Sequence, residues 1–268
     1  MRVATFNLHA GVDGWGRPTG ALEHAASLNA DILVCPETWR GDDGVDFFAD
    51  LQSRLTMTGI FVPLARAERV TTGHAGTTWQ PRLAHFTGEH GLYFTEHRSL
   101  SPAQLARRAK SRSVEQGDWG LSLLTRYPII TVRAHALGRL PRERVRRTLI
   151  VADLNVDGRT ITVLAIHGAH LSHGSFRQYR LVRTIADAID PLRPVLLVGD
   201  FNSWRPPLRL FLPSWRTLAR ARTWPAHRPH SQIDHILGRG PWRTSASCAS
   251  DGGSDHLALS ADLELANY

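Results

Sequence analysis

The chain has 268 residues, of which 42% are hydrophobic and 21% charged, a mixture typical of a folded globular protein. This composition excludes an intrinsically disordered chain, a collagen and a long coiled coil. Arginine and lysine total 32 against 24 acidic residues, and the net charge of +8 favours a polyanionic partner. Lys110 is the only lysine, and arginine binds phosphate better than lysine does because it can form two parallel hydrogen bonds. A GC-rich coding bias and a need for solubility would also explain the excess of arginine.

No stretch reaches the roughly 18–20 consecutive apolar residues of a membrane span, so we expect none. The first residues lead directly into a strand pattern without the features of a signal peptide. We therefore expect the protein to begin at Met1 and to be cytoplasmic. No motif implies a protein partner, and we expect a monomer. The two cysteines, Cys35 and Cys248, are too few for a disulfide framework, and both are predicted to be buried.

The first half of the chain alternates strand and helix patterns before regularity fails. It predicts, in order, a strand at Arg2–Leu8, a helix at Thr19–Leu28, a strand at Asp31–Cys35, a helix at Phe47–Leu55 and a short strand at Ile60–Val62. From residue 64 to 119 the pattern is irregular. A helix candidate at Ser101–Ala109 stands out there, because a serine N-cap is followed by proline at the first helical position.

The second half is more regular. It predicts strands at Gly120–Thr125, Ile129–Leu137, Arg147–Val156 and Thr160–His167, an amphipathic helix at Phe176–Ile189, a buried strand at Val195–Val198, a helical turn at Leu208–Phe211 and strands at Ile233–Leu237 and Leu257–Leu265. The pair Asp157-Gly158 predicts a hairpin turn. Many short strands with a few helices indicate two packed sheets flanked by helices.

Polar side chains recur where the predicted strands end. They are Asn7, Glu37, His167, Asp200, Asn202, Asp234, Asp255 and His256. Taken singly, most of these residue types are typical of caps and turns. The apolar strand Val195–Val198, however, runs directly into Gly-Asp-Phe-Asn, and strand alternation directs Asp200 and Asn202 the same way. We therefore expect a functional site at this sheet edge.

The residue types at the strand ends predict a divalent metal. Carboxylate and amide oxygens without cysteine-rich or histidine-rich spacing suit Mg²⁺ or Mn²⁺ rather than zinc. Because Mg²⁺ takes only one or two carboxylates, Glu37 and Asp255 with Asn7 would suffice as ligands. His256, directly after Asp255, adds a group that can transfer protons.

The order of the motifs resembles a known superfamily. The matching segments are Thr5–Leu8, Asp31–Glu37, Gly120–Ile129, Ile161–His167, Val198–Asn202, Gln232–Leu237 and Ser254–His256. In this order they resemble the endonuclease/exonuclease/phosphatase superfamily, which includes deoxyribonuclease I, exonuclease III-type nucleases, inositol polyphosphate 5-phosphatases and neutral sphingomyelinases. The resemblance implies an α/β fold of the deoxyribonuclease I type, a four-layer sandwich of two packed mixed β-sheets flanked by helices. It also implies a single domain over residues 1–268, with an insertion at about residues 64–119 that is atypical of the family.

The resemblance also implies roles for the residues at the strand ends. It places the magnesium site at Asn7, Glu37 and Asp255. It implies that Asp200 orients or deprotonates the attacking water, that Asn202 holds that water and the phosphate in line, and that His256 contacts the phosphate with Asp234 as its orienting carboxylate. Pro36 stands where the family usually has glutamine.

A second catalytic histidine is expected, and two positions compete for it. Strand alternation from Ile161 ends at His167, whereas Ala169-His170-Leu171 looks more like the usual family triplet. We favour His167 and assign His170 to substrate binding. Arg177 and Arg180 share a helix face and are predicted to bind substrate as well, although a solvated face would look the same.

The sequence therefore predicts a magnesium-dependent phosphoester hydrolase, with nucleic acid as the first-choice substrate because of the arginine content. One alternative is a phosphatase or a phospholipase- or sphingomyelinase-like enzyme acting on a small phosphorylated molecule or a lipid headgroup. Another is a binding module that has lost the chemistry. The tryptophans, notably Trp15, Trp39, Trp79 and Trp204, could stack on bases or lie against a lipid surface, although tryptophan more often belongs to the core.

Overall fold

The computed structural model describes residues 1–12, 18–72, 84–86, 93–94, 112–141, 143 and 145–266. Their strands are β1 (Arg2–Thr5), β2 (Ile32–Gly41), β3 (Thr58–Thr72), β4 (Ala84–Phe86), β5 (Tyr93–Phe94), β6 (Arg112–Thr125), β7 (Ile129–Gly138), β8 (Arg147–Val156), β9 (Arg159–His167), β10 (Val195–Asp200), β11 (Arg216–Thr217), β12 (Asp234–Arg239), β13 (Trp242–Asp251) and β14 (Leu257–Leu265). Their α-helices are α1 (Ala21–Ser27), α2 (Phe47–Leu55), α3 (Phe176–Asp187) and α4 (Arg205–Phe211). None of the helices within these ranges is long and apolar enough to cross a membrane.

The strands form two mixed sheets. The first has the order β13-β14-β1-β2-β6-β3-β4-β5, and the second has the order β11-β12-β10-β9-β8-β7. In the first sheet β1 and β2 are parallel, and in the second β9 and β10 are parallel. The remaining pairs within each sheet are antiparallel.

The two sheets pack face to face, and helices cover their outer faces. The apolar run on β10 is buried on both faces of its sheet. Leu196 and Val198 pack in the core between the two sheets, whereas Val195 and Leu197 pack in the layer that contains α3 and α4. The other outer layer packs α1 and α2 against the first sheet. A strand that is buried on both faces cannot alternate polar and apolar residues. The four-layer sandwich expected from the sequence is therefore confirmed.

Several predicted boundaries match those of the structure. The limits of α2, β8 and β14 are the same as predicted. The turn between β8 and β9 has positive φ angles at Asp157 (51°) and Gly158 (81°), as a type I′ hairpin turn requires. The helix predicted at Thr19–Leu28 is shorter, since α1 begins at Ala21 and ends at Ser27.

Other sequence predictions are wrong or fall outside the described residues. The irregular segment 64–119 contributes long arms to β3 and β6, which pair from Thr58↔Thr125 to Thr72↔Arg112. The sequence missed β13, whose run of small polar residues gives no alternation signal. Cys248 lies on this edge strand and is exposed, not buried as predicted, whereas Cys35 is buried. The helix candidate at Ser101–Ala109 lies outside the described residues.

Candidate active site

The strand ends that carry the predicted site residues meet at one edge of the sandwich. Parallel strands β1 and β2, and likewise β9 and β10, end there, while β12 and β14 run the opposite way and begin there. Asp200 ends β10 and pairs in register with His167 on β9 and with Asp234 on β12. All three side chains are buried. The fold thus aligns a histidine and two carboxylates across three neighbouring strands.

The glycine before Asp200 allows this close strand pairing. Gly199 has a φ of 143°, and a Cβ atom placed on it would lie 1.9 Å from the carbonyl oxygen of Ile166 on β9. Any side chain at this position would therefore force β10 away from β9. The glycine fixes the spacing between Asp200 and His167, whose Nε2 lies 3.6 Å from Oδ2 of Asp200.

Asp200 accepts hydrogen bonds from two asparagines. The backbone N–H of Asn202 donates to Oδ1 at 2.7 Å, and the Asn202 side chain donates to Oδ2 at 3.2 Å. The Asn7 side chain donates to the same Oδ2, also at 3.2 Å. Burial and the neighbouring charge of Asp234 raise the pKa of Asp200 to about 7, although His256 and the Asn202 N–H act in the opposite direction.

His256 is held by Asp234. Its Nδ1 lies 2.8 Å from Oδ2 of Asp234, and its Nε2 lies 4.0 Å from Oδ2 of Asp200. Burial alone would lower the pKa of His256, but the charge and hydrogen bond of Asp234, together with Asp255 and Asp200, raise it well above the ordinary value. The ring is therefore fixed as a cation whose Nε2–H is turned toward Asp200.

Of the two candidate histidines, His167 is the one brought to Asp200. It is buried, and burial followed by the charges of Arg147 and His256 holds its pKa well below the ordinary value, so the ring is neutral. His170 is exposed and its Nδ1 contacts the Ser172 hydroxyl at 2.7 Å. It lines the same cavity.

Glu37 is presented by a β-bulge in β2. The register with β6 shifts between Pro36 and Thr38, and Glu37 itself has a φ of 57°, an unfavourable conformation that is typical of functional sites. Its carboxylate accepts from the Asn7 side chain at 3.0 Å and from the indole N–H of Trp119 at 3.3 Å. Trp119 could not be predicted from the sequence, because it lies at the end of the segment that shows no regular pattern.

Two sets of side chains have the chemistry to bind a metal ion. Oxygen and nitrogen atoms of Asp200, Asp234 and His256 lie within 4.8 Å of one another, but the two closest of these residues are already bonded to each other. Glu37 and Asp255 line the same cavity and offer carboxylate oxygens, the donors that Mg²⁺ and Mn²⁺ prefer. Asn7 directs its amide N–H₂ at Glu37 and Asp200, while its oxygen accepts from the backbone of His9. It therefore orients Glu37 in this arrangement.

These groups open into a cavity of about 500 Å³. Its lining includes predicted residues and several that the sequence did not single out, namely His9, Glu37, Trp119, Glu143, Arg147, His167, His170, His173, Asp200, Asn202, Trp204, Trp224, Asp255 and His256. Two tryptophans line it with exposed rings, since Trp204 is 52% and Trp224 is 37% exposed. Arg177 and Arg180 are exposed on α3 beside Phe176 and do not belong to this lining.

A basic group forms another part of the cavity wall. Arg147 donates from Nη2 to Glu143 at 3.1 Å, and Nδ1 of His173 contacts the other oxygen of Glu143 at 2.6 Å. Arg147 and Glu143 are buried, and the Nη1 atom of Arg147 has no hydrogen-bond partner. Although burial alone would raise the pKa of Glu143, the charge of Arg147 and the hydrogen bond with His173 lower it.

Comparisons with known proteins agree with this fold. The sequence profile described as Endonuclease/Exonuclease/phosphatase family matches residues 4–256. A UPF0294 protein from Vibrio cholerae is 23% identical over 206 residues, which cover 70% of this chain and 73% of that protein.

Three solved structures share the architecture. The human nocturnin catalytic domain with a bound sulfate anion has a TM-score of 0.62 at 16% identity, over 99% of this chain and 94% of that one. The D. rerio TDP2 complex with a single-strand DNA product has a TM-score of 0.61 at 11% identity, over 98% of both chains. A mannosyl-6-phosphatase from Bacteroides thetaiotaomicron has a TM-score of 0.60 at 14% identity, over 98% of this chain and 99% of that one. These similarities show a shared fold.

Proposed function

The chain belongs to the endonuclease/exonuclease/phosphatase family of phosphoester-hydrolysing enzymes, and we propose that it is a metal-dependent phosphodiesterase acting on nucleic acid. The observation that carries the proposal is the alignment of Asp200 between His167 and Asp234 in register across three strands. His256 and Glu37 complete the group in one cavity. Hydrolysis of a phosphodiester needs a base for water, a proton donor and stabilisation of charge on the phosphate, and these residues have that chemistry.

Asp200 is proposed as the group that accepts a proton from the attacking water. Its Oδ2 is the atom on which His167, Asn7 and Asn202 converge, so the carboxylate is held in a single orientation. Asn202 would position the water and a phosphate oxygen, because its side-chain amide lies directly beside Asp200.

His256 is proposed as the proton donor and phosphate contact. The hydrogen bond from Nδ1 to Asp234 leaves Nε2–H for the substrate. Asp234 would act on the reaction through His256, by keeping the ring charged and by fixing its rotation. His167, which is neutral and packed against the Trp119 ring at 5.2 Å between centroids, would contact the phosphate on the opposite side of Asp200.

Glu37 and Asp255 are proposed to hold the metal ion, with Asn7 orienting Glu37. A bound divalent ion would stabilise negative charge on the phosphate. The hydrogen bonds from Asn7 and Trp119 keep Glu37 directed into the cavity despite its strained backbone.

The cavity rim supports a nucleic-acid substrate. Trp204 and Trp224 present exposed indole rings there, and base–aromatic stacking is the common means of holding single-stranded nucleic acid. Arg147 adds a buried cation with one unpaired N–H group, and the chain as a whole carries a net charge of +8. The structurally similar TDP2 was solved with a single-strand DNA product.

A small phosphorylated molecule is the second candidate substrate. The cavity volume of about 500 Å³ is within the usual range for small-molecule sites. One structurally similar protein is a mannosyl-6-phosphatase.

The test compares three substrates with purified protein: supercoiled plasmid, bis(p-nitrophenyl) phosphate and p-nitrophenyl phosphate, each with Mg²⁺, Mn²⁺ or EDTA. We expect plasmid nicking and diester cleavage that require the metal and that fall by about 10²–10⁴-fold in Asp200→Asn. The control is Glu264→Gln, an exposed carboxylate on β14, which should keep full activity.

Each alternative has its own outcome. Metal-dependent cleavage of the monoester alone would replace the phosphodiesterase with a phosphatase. Cleavage of both small esters without plasmid nicking would exclude endonucleolytic cleavage of double-stranded DNA. Equal activity of Asp200→Asn and Glu264→Gln would contradict the assignment of the site.

A further inference from the structure

One uninterrupted segment carries most of the positive charge of the chain. Residues 201–233, which we call the arginine segment, contain six arginines and neither a lysine nor an acidic residue. Their formal charge of +6 compares with a net charge of +8 for the whole chain. A charge that is concentrated in this way indicates a polyanionic partner at one place on the surface. The arginines are Arg205, Arg209, Arg216, Arg220, Arg222 and Arg228.

The fold places both ends of the arginine segment at the proposed active site. The segment leaves β10 directly after Asp200 and enters β12 directly before Asp234, and these two carboxylates are paired in register. Farther along the segment, the N–H of Ala226 donates to the carbonyl oxygen of Asp255 at 2.8 Å. A substrate strand that leaves the cavity on this side would therefore cross the arginine segment.

Three of the arginines form a cluster of like charges. Arg205 and Arg209 are four residues apart on α4, so they share a face of the helix and lie about 6 Å apart along its axis. Burial, followed by the charges of Arg220 and Arg209, lowers the pKa of Arg205, so Arg220 lies close enough to repel it.

No negative side chain balances this cluster. In the part of the chain that the structure describes, none of the three arginines forms an ion pair with a carboxylate. The Nε atom of Arg205 is also buried without a hydrogen-bond partner. Like charges at this spacing destabilise a helix face, and a bound polyanion would remove the repulsion.

Two exposed tryptophans connect the cluster with the cavity. Trp204 directly precedes Arg205 at the start of α4, and its ring is 52% exposed. Trp224 is held by an edge-to-face contact with the His230 ring, with 5.7 Å between the ring centroids. Both tryptophans line the cavity. Bases that stack on these rings would bring the adjoining phosphates to the arginines.

This arrangement favours a nucleic-acid strand over a membrane. Arginine beside exposed apolar side chains is also typical of membrane-binding helices, and Leu210 on α4 is 74% exposed. Within the arginine segment, all of which the structure describes, Leu210 is however the only large aliphatic side chain that is exposed. Trp204 and Trp224 line a cavity, whereas a membrane-binding surface needs a continuous apolar face.

We propose that the arginine segment binds a nucleic-acid strand outside the cavity, with Trp204 and Trp224 stacking on its bases and Arg205, Arg209 and Arg220 contacting its phosphates. This inference rests on the proposed nuclease function and narrows the substrate to strands that extend several nucleotides beyond the bond that is cleaved. Affinity should increase with strand length and fall steeply with salt, because each phosphate contact releases counterions.

The test measures the binding of fluorescein-labelled oligothymidylates of about 4 and about 16 nucleotides by fluorescence anisotropy. Salt is varied from about 50 to 200 mM NaCl, in EDTA to prevent metal-dependent cleavage. We expect the triple variant Arg205→Gln, Arg209→Gln and Arg220→Gln to bind the long strand at least about tenfold more weakly. Its plot of log affinity against log salt should be less steep by about 2, since each phosphate contact of a single strand contributes about 0.7. Trp204→Ala should weaken binding by about tenfold and leave this slope unchanged.

The control is a triple variant with the same change of charge, Arg126→Gln, Arg133→Gln and Arg243→Gln. These arginines are exposed and lie outside the arginine segment and the cavity lining, so the control should keep the wild-type slope. Circular dichroism reports folding. If the first triple variant does not fold, the exposed pair Arg209→Gln and Arg220→Gln should lower the slope by about 1.4.

The outcomes separate this inference from the proposed function. Equal effects of the two triple variants on affinity and slope, or no binding of the long strand, would overturn the role of the arginine segment. The nuclease function would then still stand if the protein nicks plasmid, and it would fail as well if nicking is also absent. Sedimentation with vesicles of phosphatidylcholine and phosphatidylglycerol tests the membrane. Vesicle binding that is lost in the first triple variant, without oligonucleotide binding, would assign the surface to an anionic membrane and overturn the proposal.

Discussion

Two groups of titratable side chains lie at the same cavity, and their electrostatics are opposite. In the acidic wall, which we define as Asp200, Asp234 and His256, two carboxylates share one imidazolium, and the pKa of Asp200 is raised to about 7. In the basic wall, defined as Glu143, Arg147 and His173, the one carboxylate contacts the Arg147 guanidinium and the His173 ring, and its pKa is lowered. Burial raises the pKa of both carboxyl groups, and only at Glu143 do the neighbouring side chains outweigh it.

This difference indicates separate tasks for the two walls. A carboxylate that readily takes up a proton suits base catalysis, whereas a fixed guanidinium suits binding of a phosphate group. We therefore expect substitutions in the acidic wall to lower the catalytic rate and substitutions in the basic wall to weaken substrate binding and stability.

The largest expected effect is on the orientation of His256. In Asp234→Asn the partner of Nδ1 can no longer hold the ring as a cation, so kcat should fall by about 10²–10⁴-fold, while the melting temperature changes little. Steady-state kinetics on bis(p-nitrophenyl) phosphate measure this. A normal kcat in this variant would show that Asp234 has only a structural role.

Breaking the ion pair of the basic wall should destabilise the fold. Arg147→Met leaves the buried Glu143 carboxylate with His173 alone, and we expect a loss of about 3–5 kcal/mol in the free energy of unfolding. Urea unfolding of the two single variants and of the pair Arg147→Met with Glu143→Gln forms a double-mutant cycle. The double variant should regain part of the loss, and strictly additive effects would contradict a direct interaction between the two side chains.

His235, the residue after Asp234, is expected to affect the stability of the fold and not the catalytic rate. This neighbour of Asp234 points to the other face of β12, where it contacts the Ser203 carbonyl oxygen and the Phe201 ring. Burial lowers the pKa of His235 from 6.5 to about 4. The unfolded chain therefore binds this proton at higher pH than the folded one does. Stability should fall by up to about 3 kcal/mol as the pH drops from about 6.5 to 4.

The measurement is the free energy of unfolding between pH 4 and 7. In His235→Gln this part of the pH dependence should be absent, while activity at neutral pH remains. An unchanged pH dependence would show that His235 does not contribute to the acid sensitivity.

The smallest expected effect is at a surface ion pair. Arg2 and Asp262 make two contacts, of 2.8 and 3.0 Å, and their side chains are 43% and 36% exposed. Asp262→Asn should cost no more than about 1 kcal/mol, and less at high salt. If Asp262→Asn and Arg147→Met lowered the free energy of unfolding equally, burial would not explain the strength of the ion pair between Glu143 and Arg147.

The sequence predicted the acidic wall because its members follow recognisable strand patterns. Asp200 and Asn202 come directly after an apolar strand, and Asp255-His256 precedes another. The basic wall could not be predicted in this way. Glu143 and Arg147 look like an ordinary pair four residues apart, and only the pairing of β8 with β9 brings them to His173.

Other features of the fold and the site depend on local conformations that sequence patterns do not predict. The turn at His9–Gly11 has positive φ angles at two non-glycine residues, His9 and Ala10, which no propensity predicts. The long arms of β3 and β6 carry few alternating apolar residues, so no strand pattern is recognisable there. Prediction succeeded where the hydrophobic core imposes a pattern and failed where tertiary contacts impose the conformation.

The most direct test of separate tasks for the two walls is a comparison of kcat and KM for Asp200→Asn and Arg147→Met, measured with Mn²⁺ on bis(p-nitrophenyl) phosphate at a temperature where both are folded. We expect Asp200→Asn to lower kcat by about 10²–10⁴-fold with little change in KM, and Arg147→Met to act mainly by raising KM. A normal kcat in Asp200→Asn, or the same kinetic pattern in both variants, would contradict separate tasks for the two walls.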